Sequence, residues 1–245
     1  MSRQLFRNIL MAVGLVAIAG AAYAGPAKTW EFEVRLDGKN IGDHSYTVSS
    51  SGAQTKITSD ASFDVKFLFL TALKYRHSAT ETWRGDCLTS IDAKTITNNK
   101  KQIVAGEKQD SQLKITSTGG AETFTDCVKT FAYWNPDILD AEALLNAQTG
   151  DYVDIVVTPL GDDVVTVGSR DVAAHKFALR STENAVGKPV DIKLWYSADS
   201  WEWLALESTV SGDRLLRYQP VKVPVDTPRR SAVVDRRISF YKEQW

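Results

Sequence analysis

Thr29-Trp30-Glu31-Phe32-Glu33-Val34-Arg35-Leu36-Asp37-Gly38 is the stretch on which the fold turns. Trp30, Phe32, Val34 and Leu36 occupy alternate positions, with charged residues between them. A strand places residues i and i+2 on one face, so this run reads as a β-strand with one side in a core. Asp37-Gly38 supplies the positive-φ pair of a tight hairpin, and Ile41 to Val48 returns as the second strand.

The same period of two extends outward. Thr71 to Trp83 reads as a strand that puts Leu73, Tyr75, His77, Ala79, Glu81 and Trp83 on one side. Short strands follow at Leu88 to Thr97, Gln102 to Gly106, Leu113 to Ser117 and Glu122 to Thr125, with Asn98-Asn99 and Gly119-Gly120 as turns. One helix is expected from Pro136 to Gln148. Asn135 caps it, Pro136 opens it, and Ile138, Leu139, Ala141, Leu144 and Leu145 form its apolar stripe. Strands resume at Tyr152 to Val157, Val164 to Val167, Ala173 to Ser181, Val190 to Tyr196, Glu202 to Val210 and Leu215 to Gln219. Many short antiparallel strands and one helix predict a mainly β fold: a curved sheet, half-barrel or β-barrel with one packed α-helix.

Residues 1 to 24 read as a signal peptide. Arg3 and Arg7 precede an uncharged run rich in Ile, Leu, Val and Ala, and Ala22-Tyr23-Ala24 offers small residues at an exit site. The strongly apolar core, Ile9 to Ala19, is shorter than the roughly 20 residues of a spanning helix. A periplasmic or secreted protein beginning at Gly25 is the expectation. Residues 25 to 220 then form one β-rich domain, and residues 221 to 245, behind Pro220, Pro224 and Pro228, a peripheral tail. Without Arg3 and Arg7 the chain has 27 basic and 30 acidic residues, a net charge of −3. That balance lacks the concentrated basic footprint of a nucleic-acid binder. Arg229-Arg230 and Arg236-Arg237 read as a solvated tail segment.

Cys87 and Cys127 are the two cysteines. An even count in an exported chain predicts a disulfide between them. His44, His77 and His175 are the three histidines, and none has H-x-H or H-x-x-x-H spacing, so no metal site is expected. Neither a G-x-S-x-G elbow nor a Gly-rich phosphate loop occurs, and no cofactor is expected. For an envelope hydrolase of sugar or lipid, Glu81 and His77 are the acid–base pair that the sequence best offers, and Glu81, Asp86 and Glu107 the carboxylates that lie near aromatics.

The seven tryptophans say more. Six of them, with Tyr46, Tyr75, Tyr133 and Tyr196, are spread over nearly every strand group. They either pack the core or rim an apolar concavity. Phe67-Leu68-Phe69-Leu70, apolar on both faces, reads as a buried strand or a flap over such a pocket. Phe67, Phe69, Trp83, Trp134 and Trp195 are therefore the candidate ligand-binding residues.

Trp30-x-Phe32-x-Val34-x-Leu36-Asp37-Gly38-Lys39-x-Ile41-Gly42-x-His44-x-Tyr46 also carries a resemblance. With it go Glu81-Thr82-Trp83, Cys87-Leu88, Cys127-x-x-x-Phe131-Ala132-Tyr133-Trp134-Asn135 and Leu194-Trp195-Tyr196. Together, over most of Trp30 to Tyr218, they resemble a bacterial family of exported proteins whose function is not established. More loosely, the architecture is similar to the half-barrel carriers of lipoproteins and lipids in the periplasm. The expected role is a non-enzymatic binding protein for a lipid-like apolar small molecule. The alternatives are the hydrolase and a structural protein that binds an envelope protein partner.

Overall fold

The computed structural model describes residues 25–67, 70–210 and 212–224. The signal peptide expected at 1–24, most of the expected tail, and Phe69 lie outside the described residues.

Among the described residues fourteen strands make one antiparallel sheet, mainly β as expected, which is curved and not closed. In chain order they are β1 Lys28–Leu36, β2 Lys39–Ser51, β3 Gln54–Phe67, β4 Leu70–Arg84, β5 Cys87–Thr97, β6 Lys100–Gln109, β7 Gln112–Ser117 and β8 Gly120–Phe124. Then come β9 Ala143–Leu145, β10 Tyr152–Val167, β11 Arg170–Ser181, β12 Asp191–Ser197, β13 Trp203–Val210 and β14 Arg214–Lys222. Their order across the sheet is β8-β7-β6-β5-β4-β3-β2-β1-β14-β13-β12-β11-β10-β9. Two meanders are thus welded at the middle, where β1 pairs with β14.

The deciding stretch behaves as its alternation requires. Trp30, Phe32, Val34 and Leu36 are all buried on the concave face, and Glu31 and Glu33 point away from it. Asp37 and Gly38 have φ of 49° and 78°, the left-handed pair that joins β1 to β2. Gly42 is tighter still: at φ 144°, a Cβ there would lie 1.9 Å from the Ser62 carbonyl oxygen. It sits at the irregularity where β1 shifts register against β2. Gly42→Ala should lower stability by about 2 kcal/mol or more. Urea unfolding measures it, and an unchanged midpoint would show that the strand yields freely there.

Three expectations need correction. The helix of residues 136 to 148 does not form. Asn135 does cap, accepting a hydrogen bond from the Asp137 N–H at 3.2 Å, but Pro136–Asp140 is a single 3-10 turn that ends at an extended Ala141. The backbone beyond it is taken by neighbours: the Leu145 N–H donates to Lys129, and the Ile155 N–H to Glu142. Ile138, Leu139, Leu144 and Leu145 are buried as their spacing suggested, on a turn and a short strand instead of a helix. The two strands expected at Tyr152 to Val157 and Val164 to Val167 are one, β10, with a register shift between Pro159 and Gly161 that absorbs the proline. Pro220 does not end the sheet. It pairs with Phe32 beside another register shift, and β14 runs on to Lys222.

The link from β8 to β9 crosses the concavity. Val128, Thr130, Ala132, Trp134 and Ile138 are buried within it, among inward side chains of both meanders. The disulfide Cys87–Cys127 ties this link to β5, and the Leu88 N–H donates to the Val128 carbonyl beside it at 2.9 Å. The curl of the sheet also brings its two ends near each other. Phe124 of β8 meets Tyr152 of β10 edge to face at 4.9 Å.

Candidate functional site

The interior is not uniformly filled. Inward positions on β1 carry Trp30, Phe32 and Val34, but on β3 and β4 they include Ser59 and Ala79. Small side chains there leave a hollow of about 240 Å³ between the two meanders. Ser59 and Ala79 lie on one side, and Ile192 and Leu206 come from β12 and β13. The crossing link lends Thr130 to Trp134, and the hollow extends to the exposed Gln148. A larger hollow of about 740 Å³ lies over β1 to β5, with Glu31, Asp43, Asp60, Arg76 and Lys94 around it. Its charged side chains favour solvent, whereas the smaller hollow is where buried polar groups converge.

Those groups come from β2, β3, β4, the crossing link and β14. His44 on β2 is 7 % exposed; its Nδ1 lies 3.0 Å from the Tyr218 hydroxyl on β14 and its Nε2 2.8 Å from Ser59 Oγ on β3. His77 on β4 has Nδ1 2.9 Å from Thr95 Oγ1 on β5. Burial disfavours the imidazolium, and His44 and His77 titrate at about 3 and about 4, so both rings are neutral near pH 7. Burial likewise holds the hydroxyls of Tyr46, Tyr133 and Tyr218 protonated well above the ordinary range.

Glu81 is the one carboxyl among them. It is 8 % exposed, and its Oε2 accepts from Trp83 Nε1 at 2.9 Å and from Thr130 Oγ1 at 3.0 Å. Its Oε1 accepts no hydrogen bond among the described residues. Burial raises Glu81 to about 7 against these two donors, which act to lower it.

Ser59 and His44 have the separation of a nucleophile and its base, yet the third member is wrong. Tyr218 stands where a carboxylate would steady an imidazolium, and the buried ring resists taking a proton. Glu81 and His77 do not meet either. They share a face of β4 with Ala79 between them, so their Cα atoms are about 13 Å apart along the strand. Among the described residues no three metal-ligating side chains come together, and His175 pairs with Asp162 on the β10–β11 hairpin.

The five aromatic candidates are dispersed. Trp134 lines the cavity. Trp83 lies behind it, edge to face at 5.9 Å, and reaches the site through its bond to Glu81. Trp195 lies in a second apolar cluster with Val165, Val167 and Leu204, its Nε1 donating to Asp163 at 2.9 Å and the Lys176 ammonium 4.7 Å over its ring. Phe67 closes β3, but its side chain and the whole of Phe69 lie outside the described residues. Of the polar lining, Ser59 and Tyr218 were not singled out from the sequence, Tyr133 was named only among the possible rim aromatics, and His44 only as a histidine without metal-ligand spacing. The available signal was the run of small and polar residues at inward strand positions, where a core would place branched or aromatic ones.

No curated protein matches the chain. Residues 32–221, more than half of it, match the model of a family described as a domain of unknown function, DUF6134, and the chain belongs to that family.

Proposed function

We propose that this is an exported, periplasmic binding protein that holds a small lipid-like guest in the cavity between its two meanders, without chemistry. The observation that carries this reading is a hollow of about 240 Å³ whose wall mixes aromatic and aliphatic side chains with a few convergent polar groups. Binding sites for small molecules have that composition, and this one lies just below their usual range of roughly 300–1,000 Å³. Its size suits a short chain or a single ring better than a whole phospholipid. The disulfide supports the extracytoplasmic location, since such bonds persist in oxidising compartments. The Ser59–His44–Tyr218 arrangement, lacking a carboxylate, supports binding over hydrolysis.

Ala79→Leu tests it. The added carbons would occupy the hollow from β4, where Ala79 lies opposite Ser59 and Ala93. A fluorescent short-chain probe should bind the native protein saturably and quench tryptophan emission. The variant should bind it at least about tenfold more weakly, a loss of 1.4 kcal/mol, with an unchanged circular dichroism spectrum. Equal binding by both proteins would place the probe elsewhere, and the cavity reading would fail.

A further inference from the structure

The cavity has a chemical polarity that points to the head group of its guest. Among the described residues no Lys or Arg lines it, and both lining histidines are neutral near pH 7. A carboxylate, phosphate or sulfate head would enter without a counter-charge, at a cost of several kcal/mol per buried ion. The wall offers the opposite. Oε1 of Glu81 is an acceptor with no donor among the described residues, on a side chain more than nine-tenths buried. Around the same hollow stand Tyr46, Phe131, Tyr133, Trp134 and Tyr218. Aromatic ring faces are negative and attract cations, most strongly where water is excluded.

We propose that the cavity selects a guest with a protonated amine head on a short apolar body, the ammonium resting on Glu81 Oε1 among the aromatic rings. This rests on the binding reading above and deepens it. An ammonium brings three N–H donors and a charge, and so satisfies both the unpaired oxygen and the ring faces. An alcohol would supply one hydrogen bond and leave the aromatic surround without a cation. The apolar body then lies along Ile192, Leu206 and Leu216.

The selection has a pH signature. The titratable groups facing the cavity are His44 and Tyr46 from β2, His77 from β4, Tyr133 from the crossing link and Tyr218 from β14, besides Glu81 itself. The histidines titrate at about 3 and 4, and the tyrosines well above 10. Among these described groups only Glu81, at about 7, changes charge between pH 5 and 9. Amine binding therefore strengthens as Glu81 loses its proton, on the order of tenfold between pH 6 and pH 8.

Calorimetric titration of the purified protein with octylamine, octanol and octanoate, at pH 6 and pH 8, tests this. Octylamine should bind at least tenfold more tightly than the other two at pH 8 and weaken about tenfold at pH 6. In Glu81→Gln that preference and that pH dependence should both vanish, with a circular dichroism spectrum like that of the native protein to show that the variant is folded. If octanoate or octanol equals octylamine in the native protein, the amine head is wrong and the cavity reading stands. If none of the three binds at either pH, the cavity reading falls and the amine with it.

Discussion

Removing the Cys87–Cys127 bond, by the double change to Ala, is expected to lower the stability of the protein by about 4 kcal/mol. The two residues are 40 apart in sequence, and a loop of that length carries a large closure entropy once the chain unfolds. The native side of the balance is equally specific. The link that Cys127 begins has no long strand of its own; it crosses the concavity on buried side chains, a few backbone bonds and this one covalent tie. Urea unfolding of native and double-Ala proteins gives the difference. A loss below about 1 kcal/mol would mean that Val128, Trp134 and Ile138 anchor the link by packing alone, since burying one such side chain is worth roughly 1.5–3 kcal/mol.

Acid should act through the buried histidines, and the sign follows from their environment. His44 and His77 titrate at about 3 and about 4 in the fold but near 6.5 once exposed. The unfolded chain binds their protons first, so the stability they permit is complete above pH 6.5 and falls as the pH drops. Between pH 6.5 and 4 the two together should withdraw about 6 kcal/mol, a large part of what holds a domain folded. Glu81 runs the other way. Its folded value of about 7 lies above the ordinary 4.5, so it contributes fully below pH 4.5 and loses that contribution as the pH rises through 7. Over pH 7 to 4.5 it returns about 3 kcal/mol. His77→Gln should therefore flatten the acid loss, and Glu81→Gln should steepen it by about 3 kcal/mol relative to the native protein. Parallel pH profiles for all three proteins in urea would contradict the burial that sets these values.

How much of this was legible in the sequence depended on what each strand faces. β1 was readable because its inward side chains, Trp30, Phe32 and Val34, meet a packed core and so alternate cleanly with charge. Most of β3 was not, because Ser59 and Ala61 face a hollow and neighbouring histidines, and a strand with small polar inward residues has no hydrophobic period. The weakest part of the pattern thus coincides with the candidate site. His77 and Glu81 could be placed on one face from spacing alone. The partnership of His44 with Tyr218 could not: the residues are 174 positions apart, and only the β1–β14 pairing brings their strands close. Residues 136 to 148 misled for a physical reason as well. Their cap and proline are real helix signals, but the chain there is held by strand-like bonds to Lys129, Phe131 and Asp151.

The seam between β1 and β14 sets an order of events during folding. Lys28–Leu36 leads the described chain and Arg214–Lys222 closes it, and their ladder runs through the middle of the sheet. Each meander can assemble from neighbouring hairpins, but the join must wait until some 180 intervening residues have been delivered. Closing so long a loop costs entropy before any contact repays it, which makes this a late and slow step. A nascent chain then exposes the aromatic inner faces of both meanders, Trp30 and Phe32 on one side and Trp203 and Tyr218 on the other, until β14 arrives. Such a protein benefits from being kept unpaired while it is made and released to fold in one piece.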